Sequence, residues 1–117
     1  MIPTVTVSAD KNPDFSTDPG SATKDQVFLL SITEANKYFN SDGAMKCEPS
    51  DYVVAKIGEG ESGHCRWWLR SPGRDQGYAA HVTAPIGNTD AFVFLGGNYV
   101  QDGYTAVRPA MWIDLNH

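Results

Sequence analysis

All three tryptophans of this chain, and three of its four arginines, fall in two short blocks far apart in the sequence. The first is Cys65-Arg66-Trp67-Trp68-Leu69-Arg70-Ser71-Pro72-Gly73, and the second is Val107-Arg108-Pro109-Ala110-Met111-Trp112-Ile113. Each joins bulky apolar residues to an arginine and to a proline that begins or ends an extended segment. An indole carries too much apolar surface to stand alone in water, so the blocks are expected to meet in one core. That makes them two strands of a single aromatic-rich sheet.

Eleven glycines and seven prolines in 117 residues cut the rest into short pieces, which favours turns and hairpins over long helices. Thr4–Ser8 alternates β-branched residues and reads as a strand, Ala9–Asp25 as a polar loop, and Gln26–Leu30 as a buried strand. Ser31-Ile32-Thr33-Glu34 matches a capping box. It opens a helix to about Phe39 with Ile32, Ala35, Tyr38 and Phe39 on one face, ended by Asn40–Gly43. Pro49–Lys56 suits a second, shorter helix, with Pro49 in its first turn and Gly58 at its exit. Gly58–Gly63 is an acidic loop. Strands are then expected at Cys65–Arg70, Tyr78–Val82, Ala91–Leu95, Tyr99–Val100 and Ala110–Leu115. The turns fall at Ser71-Pro72-Gly73, Gly87-Asn88, Gly96-Gly97-Asn98 and Asp102-Gly103. The outcome is one α+β domain over 1–117: an extended, loop-rich 1–25, a strand with one or two short helices in 26–58, and an antiparallel β-meander in 64–115.

A net charge of −5 argues against a nucleic-acid backbone as partner. No apolar run approaches the roughly 20 residues needed to span a bilayer, so membrane insertion is not expected. Cys47 and Cys65 form one bridge or none, and free thiols are the expectation. His64, His81 and His117 fit no nucleophile–base pattern. Together with the cysteines and scattered aspartates they offer no tight metal-ligand spacing. Gly96-Gly97-Asn98 is a hairpin turn rather than a phosphate loop, and no catalytic or metal-ligating residue is assigned.

The side chains that stand out are the arginines, tryptophans and tyrosines. Arg70 and Arg108 are expected to clamp the two blocks, with Trp67 and Trp112, by stacking on Trp68 or Trp112 and donating to backbone carbonyls. Strand alternation puts Trp67 and Leu69 on one face and Arg66, Trp68 and Arg70 on the other. Trp68 is thereby a candidate sugar platform. Loops Arg74–Gly77, Gly96–Asn98 and Gln101–Thr105 have the glycine-, tyrosine- and asparagine-rich composition of adaptable recognition surfaces. Tyr78, Asn98, Tyr99 and Tyr104 join Trp68 as candidate ligand contacts.

Val27-Phe28-Leu29-Leu30-Ser31, Glu34-Ala35-Asn36-Lys37-Tyr38-Phe39, Trp67–Gly73 and Val107–Ile113 occur in this order in a widespread bacterial domain family of unknown function. The chain resembles that family from about residue 10 to residue 115. The resemblance implies the C-terminal part of a longer domain, in secreted or cell-surface bacterial proteins, with the cytoplasm as the alternative location. More distantly, the chain is similar to the C-type lectin-like fold, which includes the formylglycine-generating sulfatase-modifying enzymes. That implies a non-catalytic binding or structural module, a monomer or weak dimer, meeting a glycan or a polypeptide through its C-terminal loops. The alternatives are an enzyme-like domain using Cys47 or Cys65, and a purely structural spacer. The calcium signatures Glu-Pro-Asn and Trp-Asn-Asp are missing. No cofactor is therefore expected, with calcium at Asp90 and Asn98 the one candidate.

Overall fold

Helix α1, Ile32–Tyr38, begins with every free amide of its first turn satisfied. Ser31 and Glu34 form the expected capping box, the amide of Ile32 donates to Ser71 Oγ at 2.9 Å, and that of Thr33 donates to Asp10 Oδ2 at 3.1 Å. Half of the cap thus comes from residues 23 and 39 positions away, so the helix start also docks the N-terminal segment and the sheet. Ser71, fully buried, donates in turn to Asp10 Oδ1 at 2.7 Å. Partial burial acts to raise the pKa of Asp10, but hydrogen bonds from Thr33 and Ser71 outweigh it and lower the carboxyl below its ordinary value.

The computed structural model describes residues 1–8, 10–58, 63–84 and 90–115. It is an α+β domain. In chain order, β1 (Val5–Val7) and β2 (Thr23–Asp25) precede α1, followed by α2 (Asp42–Met45), α3 (Asp51–Ile57), β3 (Trp67–Pro72), β4 (Tyr78–Val82) and β5 (Val93–Tyr99). β1 and β2 pair as an antiparallel ribbon, Val5 opposite Asp25. β3-β4-β5 form a three-stranded antiparallel meander with β4 central. The first loop is laced onto this sheet: Asn12 Nδ2 donates to the Pro72 and Leu95 carbonyls, and Thr17 Oγ1 donates to that of Gly73.

The core lies between α1 and the inner face of the sheet, with Leu30, Ile32, Ala35, Met45, Trp67, Leu69, Ala80 and Val82 in one buried cluster. β3 alternates buried and half-buried residues along its whole length, with Trp67 and Leu69 inward. Trp67 is 0 % exposed, and its indole N–H donates to the Met45 carbonyl at 2.9 Å. The desolvated indole therefore keeps its one polar group satisfied.

Several elements depart from the sequence reading. β2 falls inside the stretch read as loop; Thr23-Lys24-Asp25 has no apolar alternation to announce it. Gln26–Leu30 and Ala110–Leu115 are not strands, although they do meet. Phe28 and Ala110 exchange both backbone hydrogen bonds, at 3.0 and 2.7 Å, in an isolated antiparallel bridge. The pairing stops there because neighbouring groups are engaged elsewhere. The Leu29 carbonyl accepts from the Arg70 guanidinium, the Leu30 carbonyl accepts from the Arg70 amide, and Pro109 has no N–H to give.

β5 runs unbroken from Val93 to Tyr99, so Gly96-Gly97-Asn98 is no hairpin turn and Tyr99–Val100 no separate strand. Ala79 pairs with Asn98 and His81 with Phe94, which leaves two extra residues in β5. Gly96 and Gly97 sit in that bulge. Gly97 has φ of 73°, and a Cβ there would run into the Ala79 carbonyl, so this position requires glycine. Pro49 precedes α3 instead of opening it; Ser50 caps that helix, and Gly58 ends it at φ of 90°. Strand β3 extends through Ser71 and Pro72, which were read as a turn. The expected Gly87-Asn88 turn and most of the acidic loop, Glu59–Ser62, lie outside the described residues.

Candidate functional site

Three side chains in register cross the outer face of the meander. Trp68 of β3 lies opposite His81 of β4, and His81 lies opposite Phe94 of β5. Their rings meet edge to face, Trp68 to His81 at 6.2 Å and His81 to Phe94 at 5.4 Å between centroids. Phe92 continues the row at 6.4 Å from Phe94. Such edge-on pairs are the favoured arrangement of aromatic quadrupoles and hold the row stiffly.

His81, Phe94 and Phe92 of this row line an open cleft of about 700 Å³. Ile57 and Gly58, at the end of α3, with His64 and Cys65 form one wall. Asn98 and Tyr104 belong to the rim formed by the β5 bulge and the following turn. Arg66 also faces the cleft, its guanidinium 3.5 Å from Asp102, and Asp102 accepts in addition from Thr105 Oγ1. The charge in the cleft is therefore paired within the wall itself.

His81 is only 4 % exposed, and its Nδ1, like that of His64, is buried without a hydrogen-bond partner. A buried polar atom left in this state costs free energy, and such atoms concentrate where a protein has another use for them. Burial, helped by the nearby Arg66 charge and opposed by Asp102, lowers the His81 pKa to about 4. At neutral pH the ring is uncharged, one nitrogen a donor and the other an acceptor.

The five candidate ligand contacts divide into two groups. Asn98 and Tyr104 line the cleft, and Trp68 lies next to it, in edge contact with the His81 ring. Tyr78 and Tyr99 instead stack on each other, centroids 4.4 Å apart. The Arg74 guanidinium lies 4.1 Å from the Tyr78 ring centre and hydrogen-bonds to its hydroxyl. His81, His64, Arg66, Phe92 and Phe94 were not read as ligand contacts. His81 and Phe94 share the outward parity of Trp68, but only the strand register, with its two bulges, puts them side by side.

The four clamp residues also separate. Arg108 covers the core indole, 4.9 Å from the Trp67 ring and 4.7 Å from Phe39, and donates to the Ala44 carbonyl. Arg70 lies over Phe28, donates to the Ser8 and Leu29 carbonyls and pairs with Glu34. The expected stacking on Trp68 or Trp112 is not what forms: Arg70 lies over Phe28, and Arg108 over Phe39 and Trp67. Trp112 is 47 % exposed, lies roughly at right angles to the Tyr38 ring with centroids 6.0 Å apart, and borders a shallow groove with Phe28 and Phe39. Just ahead of the second block, Ala106 forms a parallel bridge with Trp67 that covers the β3 edge, and the block itself reaches the core through Arg108 and Ala110.

Among the described residues, no group of three or more His, Cys, Asp or Glu side chains could hold a metal ion. Asp90 is exposed, and Asn98 uses its Oδ1 to accept from the Tyr99 amide. No helix among the described residues is long and apolar enough to cross a membrane.

An α+β domain with an open, aromatic-lined cleft is thus the class of molecule this chain forms. The chain belongs to the DUF6273 family, a domain of unknown function, whose model matches residues 1–115. No curated protein and no solved structure gives a significant match.

Proposed function

We propose that this domain is a non-catalytic binding module of a bacterial surface or secreted protein, and that a glycan segment seats in the cleft beside His81. One observation carries the reading. Two phenyl rings, Phe92 and Phe94, each 45 % exposed, border the same open cleft as the uncharged His81 and the Asn98 amide. Sugar rings present C–H faces to aromatic planes and hydroxyls to neutral donors and acceptors, so this mixture suits them. A ligand recognised by full charge fits less well, because Arg66 is already paired with Asp102. The distant resemblance to C-type lectin-like domains agrees with such a role.

The cysteines support the non-catalytic part of the reading. Burial, together with the adjacent Cys47 thiol, pushes the Cys65 thiol up to about 11, and a protonated thiol is a poor nucleophile. The test is a glycan array followed by titration of the best ligand. Phe94→Ala and Tyr104→Ala, checked for folding by circular dichroism, should weaken binding about tenfold or more, the loss of roughly 1.4 kcal/mol or more. Tyr99→Ala, outside the cleft, should bind as the parent does. Binding that survives both cleft substitutions, or a ligand that is a peptide and not a sugar, overturns the assignment.

A further inference from the structure

The segment bracketed by Cys47 and Cys65 carries α3, a weakly anchored helix whose end lines the cleft. None of the seven residues of α3 is buried, although Ile57 and Gly58 at its end line the cleft. The two ends of this segment are held together. The Cys65 amide donates to the Cys47 carbonyl at 2.8 Å, and Cys65 Sγ lies 3.4 Å from that same oxygen. A backbone hydrogen bond between two residues brings their Cα atoms to roughly the 4.4–6.8 Å separation that a disulfide spans. Both thiols are free in this structure. Cys65 is buried and Cys47 half-buried, so a small oxidant reaches Cys47 first.

We infer that Cys47 and Cys65 are a reversible disulfide site, whose closure ties α3 and its wall of the cleft to the body of the domain. The oxidant is a small-molecule disulfide of the glutathione type. The Cys47 thiolate attacks one sulfur of that disulfide, whose S–S bond breaks and releases one thiol. The Cys65 thiolate then attacks Cys47 Sγ, forming the internal S–S bond and releasing the second thiol. Two protein thiols are oxidised, one disulfide is reduced to two thiols, and the protons of the cysteines end on the released thiols. The high pKa of Cys65 keeps the second step gaining in rate until the pH approaches about 11, since the attacking group is the thiolate.

The experiment equilibrates the folded chain in oxidised and reduced glutathione, traps free thiols by alkylation, and reads intact mass and a non-reducing peptide map. The expected product has lost two hydrogens, carries a Cys47–Cys65 bridge and accepts no alkylating reagent. Its Tm should rise by roughly 10 °C, from closing a loop of this length in a domain of this size, and reduction should reverse the shift. Cys47→Ser should fold normally and lose the redox dependence of its Tm. Two alkylated thiols after oxidation, a separate glutathione adduct on each cysteine, or a bridge between two chains would each overturn the inference. None of these outcomes depends on which ligand the cleft accepts.

Discussion

Glu34 of α1 and Arg70 of β3 form an ion pair in which the same carboxylate oxygen, Oε1, also accepts the Ser31 amide. One carboxylate therefore completes the helix cap and neutralises a guanidinium that ties Ser8 and Leu29 to the sheet. Both side chains are less than a quarter exposed, so removing either leaves a partly buried group without its partner. Glu34→Ala should cost about 2 kcal/mol, the cap and the charge-assisted bond together. Arg70→Ala should cost about 2–3 kcal/mol, because two carbonyls and a carboxylate lose their donor. The double variant should be less destabilised than the two single losses added together, by about 1 kcal/mol, in urea unfolding followed by circular dichroism. Strict additivity would mean that the pair contributes nothing.

The two tryptophans at the centre of the sequence blocks should behave as opposites. Trp67 is enclosed and hydrogen-bonded, so Trp67→Ala should cost roughly 3–5 kcal/mol and leave the chain near its folding threshold. Trp112, about half in solvent, should cost clearly less than Trp67, about 1 kcal/mol, when replaced by alanine. Iodide quenching of the parent should remove the Trp112 emission first, and the Trp112→Ala variant should show much weaker quenching.

What the sequence disclosed, and what it hid, follows from the range of the interactions involved. The capping box at Ser31 and the inward parity of Trp67 and Leu69 are local facts, legible from spacing alone. The strands at Gln26–Leu30 and Ala110–Leu115 were over-read because apolar β-branched composition does not reveal that Arg70 has already taken the carbonyls a ladder would need. Gly96-Gly97 were read as a hairpin turn and form a bulge inside β5 instead; a turn and a bulge demand the same residues, and only the partner strand decides between them. The cleft was hidden for the same reason: His81 and Phe94 acquire a shared role only through register.

That bulge makes a sharp comparison between two glycines. Gly97 has a left-handed φ and no room for a Cβ beside the Ala79 carbonyl, whereas Gly43 in α2 has open space around it and no such φ. Gly97→Ala should destabilise by about 2–3 kcal/mol and displace the cleft rim at Asn98. Gly43→Ala should be neutral or stabilise by up to about 1 kcal/mol, since it adds helix propensity and restricts the unfolded chain. Equal effects at the two positions in thermal unfolding would rule out the bulge geometry.

His81 sets a pH dependence with a definite sign. Its pKa falls from the ordinary 6.5 to about 4 in the folded chain, so between those values the unfolded state binds a proton that the folded state refuses. Stability from this residue is complete above about pH 6.5 and is lost progressively as pH falls through 4, by on the order of 2–3 kcal/mol. Carboxylates such as Asp10, whose pKa is also lowered, lose stability over a more acidic range, so the parent curve mixes the two. Subtracting the curve of His81→Phe isolates the histidine: the variant should keep the acid-limb loss and shed the slope between pH 6.5 and 4. Glycan affinity in a His64→Gln background, which removes the other imidazole lining the cleft, should stay level from pH 8 to about 5.5, because the His81 ring remains neutral throughout. A drop in affinity centred near pH 6.5 would show instead that a proton reaches His81 with ordinary ease, and the buried neutral imidazole would have to be given up.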